Sequence, residues 1–323
     1  MRIMLIGSVV YSYAALKELL PYKDKIVGVL GLDEKYSKEV SDYYPIHIFA
    51  KENSITSFAF KDINDNVEII KSLKPDLIFV IGLSQVVSKE ILSLPKFGCV
   101  GFHPTPLPKM RGRAPIPWMI ILGIKKSAAT LFYLDEGVDS GDIIDQENYD
   151  IGENDYAIDV YNKVLMALEK LIRKNVPLLL GNKAPRIQQD HSRATYLSKR
   201  TISDGWIDWG ATAENIYKLV RAVSKPYPGA YTYYEGVKFI IWRVELIETQ
   251  KYIGLPGQIV DVIGGNILVA TGKGILGIKE FEFSEERKKK LRISHKFGLD
   301  FEEEIFFLKK KLLELESKKG GLK

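Results

Sequence analysis

The run Pro75-Asp-Leu-Ile-Phe-Val-Ile-Gly82 decides the fold, because the five residues from Leu77 to Ile81 are all apolar. A short run without polar alternation reads as a strand covered on both faces, the condition of a strand inside a parallel sheet. Upstream, "RIMLIGS" (2–8) is a strand ending in Gly and Ser, and "YAALKELLPY" (13–22) has helical spacing at Leu16, Leu19 and Leu20. "KIVGVLGL" (25–32) repeats the strand signal, "NVEIIKSLK" (66–74) and "SKEILSLP" (88–95) read as short helices, and "GCVGFHP" (98–104) as a strand end. This alternation predicts an α/β domain with a Rossmann-like parallel sheet and helices on both faces, in which ligands bind beyond the carboxyl ends of the strands. His103 stands at one of those ends.

Downstream, "PIPWMIILG" (115–123) reads as a helix with proline in its first turn, "AATLFYLDEG" (128–137) as a strand, and residues 155–181 as a long amphipathic helix. Beyond these the character changes. One more helix, "AENIYKLVRAV" (213–223), precedes β-rich runs at 230–246 and 256–283 with a Gly264-Gly265-Asn266 turn, which predicts a small β-barrel, OB-like. "FEEEIFFLKKKLLELE" (301–316) returns to helix.

A chain of 323 residues exceeds the usual single domain, and 46% apolar with 27% charged residues excludes disordered, collagenous and disulfide-rich classes. The single cysteine, Cys99, forms no internal disulfide, and the start of the sequence lacks a signal-peptide pattern, so a cytoplasmic protein is expected. No apolar run is long enough to span a bilayer, and no membrane partner is expected. The net charge of +5 is local: residues 284–323 hold twelve Lys and Arg against eight Asp and Glu. The rest is nearly neutral, unlike the broad basic face of a nucleic-acid binder.

"GSVVYS" (7–12) lacks the G-x-G-x-x-G spacing and no P-loop occurs, which disfavours nicotinamide dinucleotide and P-loop chemistry. The four histidines, His47, His103, His191 and His295, are scattered, so no metal site is expected. What remains is His103 in "HPTPLPKMRGRAP" and Asp139 in "LDEGVDSGDII". Taken singly, each is as compatible with a structural histidine or a turn aspartate as with catalysis.

Together they resemble the folate-dependent formyltransferase family, which includes methionyl-tRNA formyltransferases and sugar-nucleotide N-formyltransferases. There a strand-end His leads into L-P-x-x-R-G, and an Asp, a small residue and Gly follow 36 residues after the His. His103, Leu107-Pro108, Arg111-Gly112 and Asp139-Ser140-Gly141 occupy those places. The run from Ala194 to Tyr234 resembles the family's linker and the start of its second domain, so the likeness covers residues 1–283. It implies a catalytic domain at 1–190, a linker at 191–205, a C-terminal barrel at 206–283 and a charged helical tail at 284–323.

The resemblance also implies 10-formyltetrahydrofolate as co-substrate, with His103 and Asp139 catalytic. Gln85, Val86 and Val87 of "IGLSQVVSKE" (81–90), with Asp135 and Gly137, would hold the folate, partly through backbone groups. Thr105, Arg111, Gly112, Arg113 and Trp118 would line the acceptor side, and a homodimer is implied. One departure stands out: the family's Asn-x-His reads Gly101-Phe102-His103 here. A glycine supplies no amide to a developing oxyanion, and losing one such donor costs roughly a hundred- to a thousand-fold in turnover. Three readings follow: a substitute donor (Thr105, a water or a backbone N–H), a slow enzyme or an unusual acyl donor, or a non-catalytic folate- or nucleotide-binding homologue.

Of the two branches with this layout, the tRNA branch carries a basic insertion after the second strand, whereas "GLDEKYSKEVSDYYPIHIF" (31–49) holds only Lys35 and Lys38. "RGRAPIPW" (111–118) and "RAVSKPYPGAYTYY" (221–234) resemble the sugar branch. The expected acceptor is the amine of a nucleotide-linked aminodeoxysugar, with methionyl-tRNA as the alternative.

Overall fold

The computed structural model describes residues 1–38, 40–284, 290–298 and 301–320. The chain divides into two compact units, Met1–Arg200 and Thr201–Lys323.

The first unit contains β1 (Ile3–Gly7), α1 (Val10–Leu19), β2 (Ile26–Leu32), α2 (Ile46–Glu52), β3 (Ser57–Phe60), α3 (Val67–Leu73), β4 (Leu77–Val80), α4 (Lys89–Ser93) and β5 (Cys99–His103). Then come β6 (Arg111–Gly112), α5 (Pro115–Ile121), β7 (Lys126–Tyr133), β8 (Ile143–Asp150), α6 (Ala157–Leu180) and β9 (Tyr196–Leu197). The main sheet has the order β3-β2-β1-β4-β5-β7-β8. Its first five strands are parallel, as expected, and β7 and β8 extend it antiparallel. β8 gave no strand signal because it is an edge strand with polar residues along most of its length, "IIDQENYD".

The opening stretch behaves as its composition requires. Leu77, Phe79 and Ile81 pack with Leu16, Leu19, Leu168 and Leu171 on one face of the sheet, while Ile78 and Val80 pack with Ile70 and Ile91 on the other. Burial of each such side chain contributes about 1.5–3 kcal/mol, so this one strand fastens both helical layers. The same parity governs β5. Cys99 belongs to the second face and Val100 to the first, so Gly101 and His103 point toward the side of Cys99.

In the second unit, α7 (Ala213–Val223) is capped by Thr212, whose hydroxyl accepts from the Asn215 N–H at 3.2 Å. β10 (Ala230–Tyr234), β11 (Val237–Ile247), β12 (Ile259–Ile263), β13 (Asn266–Ala270) and β14 (Ile275–Phe283) form an antiparallel sheet in the order β10-β11-β14-β13-β12, and α8 (Phe301–Gly320) ends the chain. The expected turn at Gly264-Gly265 joins β12 to β13 with positive φ at both glycines, the backbone of a tight hairpin. Residues 294–298, which the sequence assigned to a helical tail, instead join the two edges of this sheet. Lys296 bridges Gln258 beside β12, and Phe297 bridges Tyr234 of β10. The barrel is thereby closed by a segment beyond the expected boundary at 283.

Candidate active site

His103 is the last residue of β5, paired across the sheet with Thr130 of β7 and only 5% exposed. The loop that follows is tied down on three sides. The Thr130 hydroxyl donates to the Thr105 carbonyl (2.6 Å), the Tyr149 hydroxyl to the Pro104 carbonyl (2.7 Å) and the Gln146 amide to the Leu107 carbonyl (3.0 Å). The loop thus returns to place the Met110 carbonyl 2.8 Å from His103 Nε2. A carbonyl only accepts, so Nε2 is the donor in this contact, and Nδ1 is the nitrogen turned toward Asp139. Asp139 Oδ2 lies 3.6 Å from Nδ1, beyond a direct hydrogen bond. The same oxygen accepts the Gly112 N–H at 2.8 Å.

Asp139 is held from behind. It sits in the left-handed region at φ 49°, as do Met110 (57°) and Ala114 (52°), a strained conformation for residues with a Cβ. The Gln189 amide donates to the carbonyls of Asp139 (2.9 Å) and Gly141 (2.7 Å). Gln189 Oε1 in turn accepts from Arg111 Nη2 (2.6 Å) and Nε (3.2 Å). Arg111 also donates to the Tyr196 hydroxyl and meets His191 Nδ1, both at 3.2 Å. The two glycines of this corner are sterically required: a Cβ on Gly112 would stand 2.6 Å from the Leu197 carbonyl oxygen, and one on Gly141 1.9 Å from that of Tyr133. Backbone pairing of β6 with β9 completes the frame.

Several sequence expectations change in detail. Arg111 is 2% exposed and its donors are spent within the chain, so it braces the Asp139 turn instead of facing an acceptor. Thr105 is fully buried, and its hydroxyl donates to the Lys109 (2.9 Å) and Met110 (3.2 Å) carbonyls; it is not available as a substitute oxyanion donor. Trp118 Nε1 donates to the Ser198 carbonyl at 2.9 Å, and the Arg200 guanidinium lies over its ring. Arg113 is exposed, as an acceptor contact requires. Residues 191–205 are not a plain linker, since Tyr196 and Leu197 pair with β6.

The 81–90 loop inverts this pattern. Gln85 accepts the Ile63 N–H at 2.8 Å and donates to the Lys61 carbonyl at 2.7 Å, so its side chain pins the loop. Asn64, not anticipated from the sequence, donates to the Val86 carbonyl (3.0 Å) and accepts from the Ser88 N–H (2.8 Å). Val86 is 87% exposed, while Val87 packs against the core. Among the described residues, no hydrogen bond within the chain takes up the backbone N–H groups of Gln85, Val86 or Val87. The loop offers main-chain donors, which suits the amide-like edge of a pterin. Nearby, Asp135 accepts from the Gly137 N–H (3.0 Å) and the Ser140 hydroxyl (2.7 Å), shaping the turn that delivers Asp139.

At Gly101 a Cβ would lie 2.5 Å from Leu134 Cδ2 and 3.3 Å from Phe132 Cε1. Leu134 therefore occupies the space that a side chain at this position would need.

The comparisons with known proteins fit this architecture. Residues 22–176 match the family profile "Formyl transferase", and residues 200–297 match "Formyl transferase, C-terminal domain". A methionyl-tRNA formyltransferase of Alkaliphilus oremlandii is 36% identical over 296 residues, covering 90% of this chain and 95% of that protein. The chain belongs to the formyl transferase family. The bifunctional polymyxin resistance protein ArnA of Wigglesworthia glossinidia brevipalpis is 31% identical over 277 residues, 85% of this chain and 42% of that protein. The N-formyltransferase of Helicobacter canadensis, solved with folinic acid and dTDP-3-aminofucose, shares the fold with a TM-score of 0.65 at 21% identity, over 86% of this chain and 99% of its own. Formyl transferases are folate-dependent, with 10-formyltetrahydrofolate as the one-carbon donor.

Proposed function

We propose that this formyl transferase moves the formyl group of 10-formyltetrahydrofolate to the amine of a nucleotide-linked aminodeoxysugar. The observation that carries the chemistry is the His103–Asp139 pair, fixed at 3.6 Å by neighbours that leave Nδ1 and one carboxylate edge to work. Asp139 accepts the proton lost by the attacking amine as the new C–N bond forms. His103 donates a hydrogen bond from Nδ1–H to the formyl oxygen, where negative charge develops. The proton taken from the amine passes to the departing folate nitrogen as its bond to the formyl carbon breaks. With Thr105 engaged elsewhere and Gly101 bare, His103 carries the oxyanion together with water or a backbone N–H. Gln85, Val86 and Val87 hold the folate through their N–H groups, beside the turn of Asp135 and Gly137.

The acceptor reading rests on charge. In the connection after β2, Asp33 and Glu34 offset Lys35 and Lys38, so the described residues there form no basic surface for a tRNA backbone. Arg113, exposed next to Gly112, suits a compact diphosphate. The methionyl-tRNA reading is favoured by the 36% identity to a full-length methionyl-tRNA formyltransferase. The two separate in one assay, in which tetrahydrofolate release is followed with 3-amino and 4-amino nucleotide sugars beside methionyl-tRNA. Turnover confined to a sugar supports the proposal; turnover confined to methionyl-tRNA overturns it. Folate binding without turnover on any acceptor assigns the chain to the binding homologues.

A further inference from the structure

The run Gln189-Asp190-His191 opens a short turn and sends two of its side chains to the same guanidinium. Asp190 caps the turn, its carboxylate accepting the Ser192 N–H at 3.1 Å and the Ser192 hydroxyl at 2.6 Å. Gln189 and His191, on either side of it, both reach Arg111: Gln189 Oε1 lies 2.6 Å and His191 Nδ1 3.2 Å from Nη2. Gln189 is 4% exposed and Arg111 2%, whereas His191 stands at the surface. One buried cation therefore joins a solvent-exposed imidazole to the amide that holds the Asp139 carbonyl.

The contact requires one form of the ring. A guanidinium offers donors and no lone pair, so His191 Nδ1 is the acceptor, and a ring protonated at both nitrogens has no acceptor to offer. Among the described residues the acceptors of Arg111 are Gln189 Oε1, the Tyr196 hydroxyl and His191 Nδ1, none of them a carboxylate. Protonation of His191 would remove one acceptor and set a second cation against a buried first one, leaving a buried donor unpaired. The remaining charged groups are engaged elsewhere. Asp190, on the same turn as Arg193, is bound to Ser192, and the Asp139 carboxylate accepts from the Gly112 N–H.

We propose that His191 is a positioning residue for the turn that carries Asp139: its neutral ring completes the acceptors of Arg111 and so keeps Gln189 on the Asp139 carbonyl, and protonation of the ring loosens that hold. The proposal rests on the reading of Asp139 as half of the working pair. Histidine gains charge as pH falls from about 8 to about 5, so the effect is read as a pH profile. The full chain is compared with His191→Gln, whose amide keeps an acceptor and does not titrate, and with His191→Leu, which keeps bulk and removes the acceptor. Both variants are expected to match the parent in far-ultraviolet circular dichroism, because the ring lies at the surface. With the amine that supports turnover, His191→Leu is expected to lower kcat about tenfold at about pH 8 with the KM for folate unchanged, and His191→Gln to recover most of that loss. Below about pH 7 the kcat of the parent is expected to fall about three- to tenfold further than that of the Gln variant. Hydrogen exchange of the Gly112 N–H, which is bound to Asp139 Oδ2, reads the same turn without turnover. At about pH 6 it is expected to be slower in the Gln variant than in the parent, and fastest in the Leu variant. The same pH profile in parent and Gln variant, undiminished kcat in the Leu variant, or equal Gly112 exchange in all three would each overturn the proposal. A chain that turns over no acceptor defeats the formyl-transfer reading instead, and the exchange measurement then decides the role of His191 alone.

Discussion

At the His103 corner the backbone is strained to set the His103 and Asp139 side chains side by side, whereas in the loop from Ile81 to Glu90 the side chains hold and the backbone faces out. The first corner has three non-glycine residues in the left-handed region and a buried Arg111–Gln189 brace. The second has Gln85 and Asn64 stitching it to residues 61–64. The difference suits the chemistry proposed for each. Proton movement needs a titratable group at a fixed distance, while recognition of a planar heterocycle needs donors in a row, which a peptide backbone already provides.

The comparison breaks most readily at the working side chains. His103→Ala and Asp139→Asn are each expected to lower kcat by about a hundred- to ten-thousand-fold, with folate affinity preserved when measured by fluorescence titration. Loss of folate binding in either variant would mean that the two regions are one. Gln189→Leu probes the brace. It removes the hydrogen bonds to the Asp139 and Gly141 carbonyls and is expected to lower kcat about ten- to a hundred-fold with little change in KM, while Gln189→Glu, which keeps an acceptor for Arg111, recovers part of the loss.

Gly101→Asn tests the missing amide and the space beside it. Alone it is expected to lower stability by about 1–3 kcal/mol, read as a fall in Tm, because Leu134 must move. Combined with Leu134→Ala, which makes room, it is expected to regain stability and to raise kcat. On the binding side, Asn64→Ala is expected to raise the KM for folate about three- to tenfold and to leave kcat unchanged, since it loosens the loop without removing a backbone donor. A fall in kcat instead would place this loop in the catalytic step.

The smallest effect is reserved for a carboxylate in neither region. Asp42 accepts the Tyr161 hydroxyl at 2.5 Å, and burial pushes its carboxyl above the usual carboxylate range. A raised folded-state value means that the native state favours the protonated acid. The stabilisation is complete below the unfolded value and is lost as pH rises through the folded one. Asp42→Asn, which keeps an acceptor for Tyr161, is expected to show a slightly higher Tm than the parent at pH 7, with the gap closing by about pH 3.

The sequence made the family motifs around His103 and Asp139 and the sheet legible because both are written in local patterns. Leu77 to Ile81 announces a doubly covered strand, and His103 and Asp139 belong to motifs of fixed spacing. The same reading misplaced Arg111, because a guanidinium looks alike in sequence whether it greets a phosphate or is saturated by Gln189, Tyr196 and His191. Gln189 and Asn64 carried no signal of their own, since their roles lie in contacts with residues distant in the chain, such as Asp139 and Ser88. The closing segment of the barrel was missed for a related reason: residues 294–298 are too few and too polar to show strand periodicity, and they pair only because two open edges need covering.

Gly101 and Leu134 also constrain how this chain can change over generations. Asparagine at 101 while Leu134 is present meets a clash; shortening Leu134 while Gly101 is present leaves a void beside Cys99 and Val80. Either first step is a loss, and only the pair of steps restores a filled site. The two positions are thus coupled: a library that varies one residue at a time reads the cost of moving Leu134 at Gly101, and only paired substitution shows what an amide beside His103 would do.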